Sequence, residues 1–161
     1  MRLRTAVWSA SVAMLMSGAV ASGAEWGLKA GHPEIQSAAA LAFGPDGILF
    51  IGDTKSAAVF AIDTGDKAGQ PNDVQVKVEG LNARVAELLK AKTATIRDLA
   101  VNPASGHVFL AVHADNKPAI VKVDEAGALS VVATDNVKFL KTTLEHAPAD
   151  KAIETPRGPI N

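Results

Sequence analysis

A chain of 161 residues, 48% of them hydrophobic, is long enough to bury one ordinary core. Its formal net charge of −1, with no basic stripe, argues against nucleic acid and anionic membranes as partners. The absence of Cys removes disulfides, iron–sulfur clusters, thiolate zinc sites and cysteine nucleophiles together.

Residues 1–21 read as a secretory signal peptide. Arg2 and Arg4 precede an apolar run from Ala6 to Met16, and the small residues Ala19-Val20-Ala21 form a cleavage site, with Ala24 as the second choice. The run is shorter than the ~20 residues a membrane span needs, so no stable span is expected after cleavage. Loss of Arg2 and Arg4 takes the net charge from −1 to −3. An exported domain without disulfides relies on its packed core, which suits a bacterial periplasm or cell exterior.

Residues 22–37 form a polar lead-in, with Gly27, Gly31 and Pro33, and are expected as loop. Ala40–Phe43 is then a short apolar strand, Gly44-Pro45-Asp46-Gly47 a turn and Ile48–Ile51 a second strand, because Pro presets φ and Gly supplies a positive φ between apolar runs. Ala57–Asp63 is the third strand. After the loop Thr64–Asn72, the segment Asp73–Glu79 alternates with period two and reads as a fourth, edge strand. Leu81, Val85, Leu88 and Leu89 have helical spacing, predicting an inserted helix over 81–92 with Asn82 as N-cap and Lys90 and Lys92 at its C-terminal end. Its narrow apolar stripe is expected to pack on the neighbouring sheet.

A second set of strands follows at Thr95–Val101, His107–His113, Ala119–Asp124 and Ala128–Ala133. Superposed on the first set, Leu41 matches Leu99, Ala42 matches Ala100, Pro45 matches Pro103, Gly47 matches Gly106, Phe50 matches Phe109 and Asp63 matches Asp124. In this superposition Asp46 and Asp53 have no acidic counterpart. The expected organisation is therefore all-β: two antiparallel four-stranded meanders (38–80 and 95–133, within 38–133) with one inserted helix. Residues 134–161, with Pro148, Pro156 and Pro159, are expected as a loop or disordered tail.

The residues LAFGPDGILFIGD, VFAID, IVKVD and IRDLAVNPASGHVFLAV resemble the β-propeller proteins of the NHL-repeat and gluconolactonase-like group, and are similar to uncharacterised exported bacterial propeller proteins over roughly Ser37–Ala133. The resemblance implies propeller blades, and two blades imply an incomplete ring, hence an N-terminal fragment of a longer protein, with closure by oligomerisation or a compact two-sheet sandwich as the alternatives. Gluconolactonase-like propellers hold a divalent cation in a central channel with Glu, Asn and Asp, so the resemblance also implies, as an alternative, part of a calcium- or magnesium-dependent lactonase-like hydrolase. The oxygen donors nearest the inner strands are Glu34, Asp53, Asp98 and Asn102. None matches a ligand motif of that family, and Asp46 and Asp53 read better as turn formers.

Motifs for catalysis are lacking. No G-x-S-x-G, H-E-x-x-H, Walker A or G-x-G-x-x-G occurs, and Ser105 sits in a turn. His32, His107, His113 and His146 are too scattered for a short metal motif and read as surface residues. The sequence thus predicts an exported, non-catalytic module, with no catalytic or cofactor-binding residue assigned, that binds a protein, glycan or small molecule. A purely structural scaffold is the third reading.

Overall fold

The computed structural model describes residues 26–71, 77–147, 153–155 and 158–160. The expected signal peptide, 1–21, lies outside the described residues. Among the described residues no helix is long and apolar enough to cross a membrane.

The fold is mostly β and antiparallel, as expected. The first sheet contains β1 (Lys29–Gly31), β2 (Ala40–Phe43), β3 (Ile48–Asp53), β4 (Ala58–Asp63) and β9 (Val137–Thr143), in the spatial order β1-β9-β4-β3-β2. The second is a simple meander of β5 (Ala94–Val101), β6 (Val108–Ala114), β7 (Lys117–Val123) and β8 (Leu129–Val131). A small hairpin of β10 (Ile153–Thr155) and β11 (Gly158–Ile160) stands apart in the pairing scheme.

Two expectations are corrected here. The segment 134–161 is not simply a tail: it supplies β9, which pairs with β4 from Ala58↔Thr143 to Ile62↔Phe139, as well as β10 and β11. The lead-in 22–37 likewise contains β1, which pairs with the other edge of β9. The expected edge strand Asp73–Glu79 falls mostly outside the described residues, and its described end, 77–79, is not a strand. The place beside β4 that it was expected to fill belongs to β9.

Strand parity builds the core. Leu49, Ile51, Phe60 and Ile62 point from the first sheet toward Phe109, Ala111 and Ile120 of the second, and these residues form one buried cluster. Phe43 meets Phe109 edge to face at 5.0 Å between ring centroids. The opposite face of the second sheet, with Leu110, Val112, Val121 and Val123, is covered by α1 (Leu81–Leu88) through the fully buried Val85. The apolar stripe of the helix therefore packs on the adjacent sheet as expected. Its ends differ from the prediction: Gly80, at φ 63, takes the N-cap position ahead of Asn82. Lys90, at φ 52, stops the helix, with Lys90 N donating to Glu87 O and Ala91 N to Ala86 O in a Schellman-type closure.

The first strands of the two meanders, β2 and β5, lie side by side. A bulge between Ile96 and Asp98 turns the Asp98 carboxylate toward β2, where Oδ2 accepts the Leu41 amide at 2.8 Å. From this tight seam the sheets pack Leu41 and Phe43 close against the shared core. Val131–Asn136 carries the chain from β8 across to β9.

Candidate functional site

The strongest polar constellation lies at one end of the seam, where the β2–β3 turn (44–47) and the β5–β6 turn (102–107) are both covered by the loop that follows β4. Thr64 Oγ1 donates to Gly47 O at 2.7 Å and anchors this loop. Gly47 has φ +71, and a Cβ placed on it would stand 2.5 Å from the Asp66 carbonyl oxygen, so both backbone and space require glycine. Asp66 is thereby delivered to the second turn. Its Oδ2 accepts Ser105 Oγ at 2.6 Å and Asn102 Nδ2 at 2.8 Å, while Oδ1 is 2.9 Å from His107 Nδ1. The other ring nitrogen, Nε2, is 2.6 Å from Glu125 Oε2 in the β7–β8 turn.

Electrostatics follow from this geometry. Burial alone would raise the Asp66 pKa, but the bonds from Ser105, Asn102 and His107 outweigh it and hold the carboxyl below its ordinary value. Burial would lower His107, but the carboxylates of Glu125 and Asp66 prevail and raise it. When protonated the ring donates from both nitrogens, and in that form neither is free to act as a base or a metal ligand. Ser105 bonds to Asp66 and receives the His107 amide at 3.2 Å, and its hydroxyl is not directed at the ring. Aspartate, histidine and serine are thus together without forming a nucleophilic triad. Their arrangement is a clamp that ties a loop of the first sheet to two turns of the second.

A second buried carboxylate, Asp53, is 2% exposed. It accepts the amides of Gln36 (2.7 Å), Ser37, Lys55 and Ser56, and the Ser37 hydroxyl (2.8 Å). Burial pushes its pKa up, and the bonds from Gln36, Ser56 and Ser37 bring it below the ordinary value. The expectation that Asp53 has no counterpart is corrected. Asp115, which follows β6 as Asp53 ends β3, accepts the amides of Lys92 and Thr93 and the Thr93 hydroxyl just before β5. Both repeats thus use one aspartate to fasten the approach to their first strand. Asp63 and Asp124 likewise share a task, accepting the amides of the turns that follow them.

The oxygen donors singled out in the sequence do not assemble. Asp53 and Asp98 are held at separate points by the bonds above, Asn102 belongs to the Asp66 clamp, and Glu34 lines a cleft. Among the described residues no three His, Asp or Glu side chains are placed to hold one metal ion. The histidines, expected at the surface, are differentiated: His107 is half-buried in the clamp, and His32 Nδ1 lies 3.1 Å from Thr134 O. His113 Nε2 is buried without a partner among the described residues, and burial, then Arg97 and Lys55, lower its pKa. The clamp was invisible in sequence because Asp66 sits in a loop that reads as turn chemistry, 39 residues from Ser105 and 41 from His107.

Two clefts share Val131 and Val132 as a common wall. One, of about 500 Å³, lies between the lead-in at His32–Gln36 and β7 at Pro118–Ile120. The other, of about 420 Å³, lies between the end of β4, Phe109 and Lys122 on the second sheet, and the start of β9. Both fall in the size range of small-molecule sites. No protein family, curated protein or solved structure matches the chain.

Proposed function

We propose that this chain is an exported, non-catalytic module of β-propeller type, that its two meanders correspond to adjacent blades, and that it binds a ligand in the clefts between the sheets. The observation that carries the binding reading is the pair of clefts. Beside core residues their walls carry partly exposed groups such as Val131, Val132, Ser130 and Asn136, whereas the acid, histidine and serine groups of the clamp are spent on holding loops together.

Blade character is supported by the repeat-mates Phe109 and Phe50. Phe109 fills the space between the sheets at 1% exposure, while Phe50, on the equivalent face of the first sheet, is 40% exposed. Across that face Ala42, Phe50, Ala61 and Leu140 stand in one register row. In a stack of blades this row would meet the preceding sheet, as Phe109 meets the first sheet here. The adjacency of β2 and β5 agrees with first strands lining a common axis.

The test is hydrogen exchange of the full chain with a panel of neutral sugars, short peptides and organic acids. A ligand of the proposed kind slows exchange at Val131 and Val132, the wall that both clefts use. Protection confined to the clamp or to the Phe50 face would contradict the assignment.

A further inference from the structure

The cleft at the start of β9 has a chemical bias that its neighbour lacks. Lys122 of β7 and Lys138 of β9 line it from opposite sheets. Among the described residues neither ammonium has a carboxylate within ion-pair distance. The one acid in the lining, Asp63, is engaged by other donors, Oδ2 accepting Lys67 Nζ at 3.1 Å and Oδ1 the Gly65 amide at 3.0 Å, and it feels the charge of Lys138 without forming an ion pair with it. The nearby acids Asp66 and Glu125 are committed to His107, whose ring also feels the charge of Lys122. Val131 and Val132 supply apolar lining over the buried Phe109, and Ser130 and Asn136 supply neutral polar groups.

We propose that this cleft binds a small organic anion, a carboxylate or phosphate ester head on an apolar body, with Lys122 and Lys138 receiving the head and Val131 and Val132 the body. The proposal rests on the binding reading above and deepens it by naming the ligand class. Two ammonium groups from different sheets favour negative charge, because an anion between them forms charge-assisted hydrogen bonds that a neutral ligand cannot. The adjacent valines then favour an anion with a hydrophobic part over inorganic phosphate.

The experiment is an amide-resolved NMR titration of the full chain with phenylacetate, phenyl phosphate, inorganic phosphate and the uncharged phenylacetamide. The two aromatic anions should shift Gly65, Phe109, Ser130 and Asn136 saturably and bind about tenfold or more tightly than phenylacetamide or phosphate, the effect of one charge-assisted contact. Lys122→Gln and Lys138→Gln should each weaken the anions about tenfold, and Lys117→Gln, outside the cleft, should not. Should a lysine variant disturb the fold, added salt makes the same distinction on the unmodified chain, weakening the anions and not phenylacetamide. Phenylacetamide binding in this cleft as tightly as the anions would overturn the choice of anion and leave the binding reading standing. No shift in either cleft with any probe in this or the wider panel would overturn both.

Discussion

Replacing Asp66 with Ala removes the centre of the clamp and tests whether the two sheets depend on it. Three donors lose their acceptor: the Ser105 hydroxyl, the Asn102 amide and the His107 ring, with Ser105 and Asn102 both buried. A hydrogen bond to a charged group contributes roughly 1.5–3 kcal/mol, and a buried donor without a partner costs roughly 1–3 kcal/mol. Asn102 keeps the Asp66 carbonyl at 2.6 Å, which limits the damage. The net loss expected is about 3 kcal/mol, a large fraction of the stability of a small domain.

The pH profile of that loss follows from the two shifts. His107 has a raised pKa in the fold, so its contribution is full below the unfolded value of about 6.5 and disappears as pH rises through the folded value. Asp66 has a lowered pKa, so its contribution is full above the unfolded value of about 3.9 and disappears as pH falls through the folded value. The difference between wild type and Asp66→Ala should therefore be greatest between about pH 4 and 6.5 and shrink on both sides. Urea unfolding of both proteins from pH 3 to 9 measures it. A difference that is flat with pH, or below about 0.5 kcal/mol throughout, would refute the clamp as an energetic joint.

Other outcomes are equally specific. Asp53→Ala, which strands the Ser37 hydroxyl and several amides at a site 2% exposed, should cost about 3–5 kcal/mol by urea titration; Asp115→Ala, at an exposed site, should cost clearly less. Phe109→Ala should cost about 3–5 kcal/mol and its repeat-mate Phe50→Ala less than about 1 kcal/mol, and equal losses would show that the Phe50 face is covered. Leu140→Pro breaks the ladder where β9 meets β4, so amides of β4 should lose exchange protection while those of β6 keep theirs. Saturating calcium or magnesium should leave the melting temperature unchanged, since the acids near the inner strands are held apart; a rise of several degrees would revive the metal-dependent hydrolase reading.

What could be read from the residues alone was local. The paired Leu-Ala, Pro-Gly and Phe positions marked two sets of strands, and the spacing of Leu81, Val85 and Leu88 marked a helix with a buried stripe. What escaped was created by contacts distant in the chain. Val137 and Phe139 alternate properly for a strand, but Lys138 and Lys141 make the stretch look solvated, and its partner β4 ends more than seventy residues earlier. Insertions in the turns hid the parallel between Asp53 and Asp115, because their shared role is defined by the amides they accept and not by a fixed offset. The clamp escaped for the same reason: Asp66 acquires its importance only when the Thr64–Gly47 contact lays its loop across the second sheet.

Stacking of the sheets is central to the molecule: Phe109 bridges the two, β9 completes the first, and the Phe50 face stays open. With five Phe and no Tyr in the chain, ring-selective NMR reads this directly. The stacked arrangement predicts ring-to-ring cross-peaks between Phe43 and Phe109, whose centroids are 5.0 Å apart, weaker ones between Phe60 and Phe139 at 6.4 Å, and none from Phe50 to another ring. Cross-peaks from Phe50 to another ring, or the absence of the Phe43–Phe109 contact in the folded protein, would contradict it.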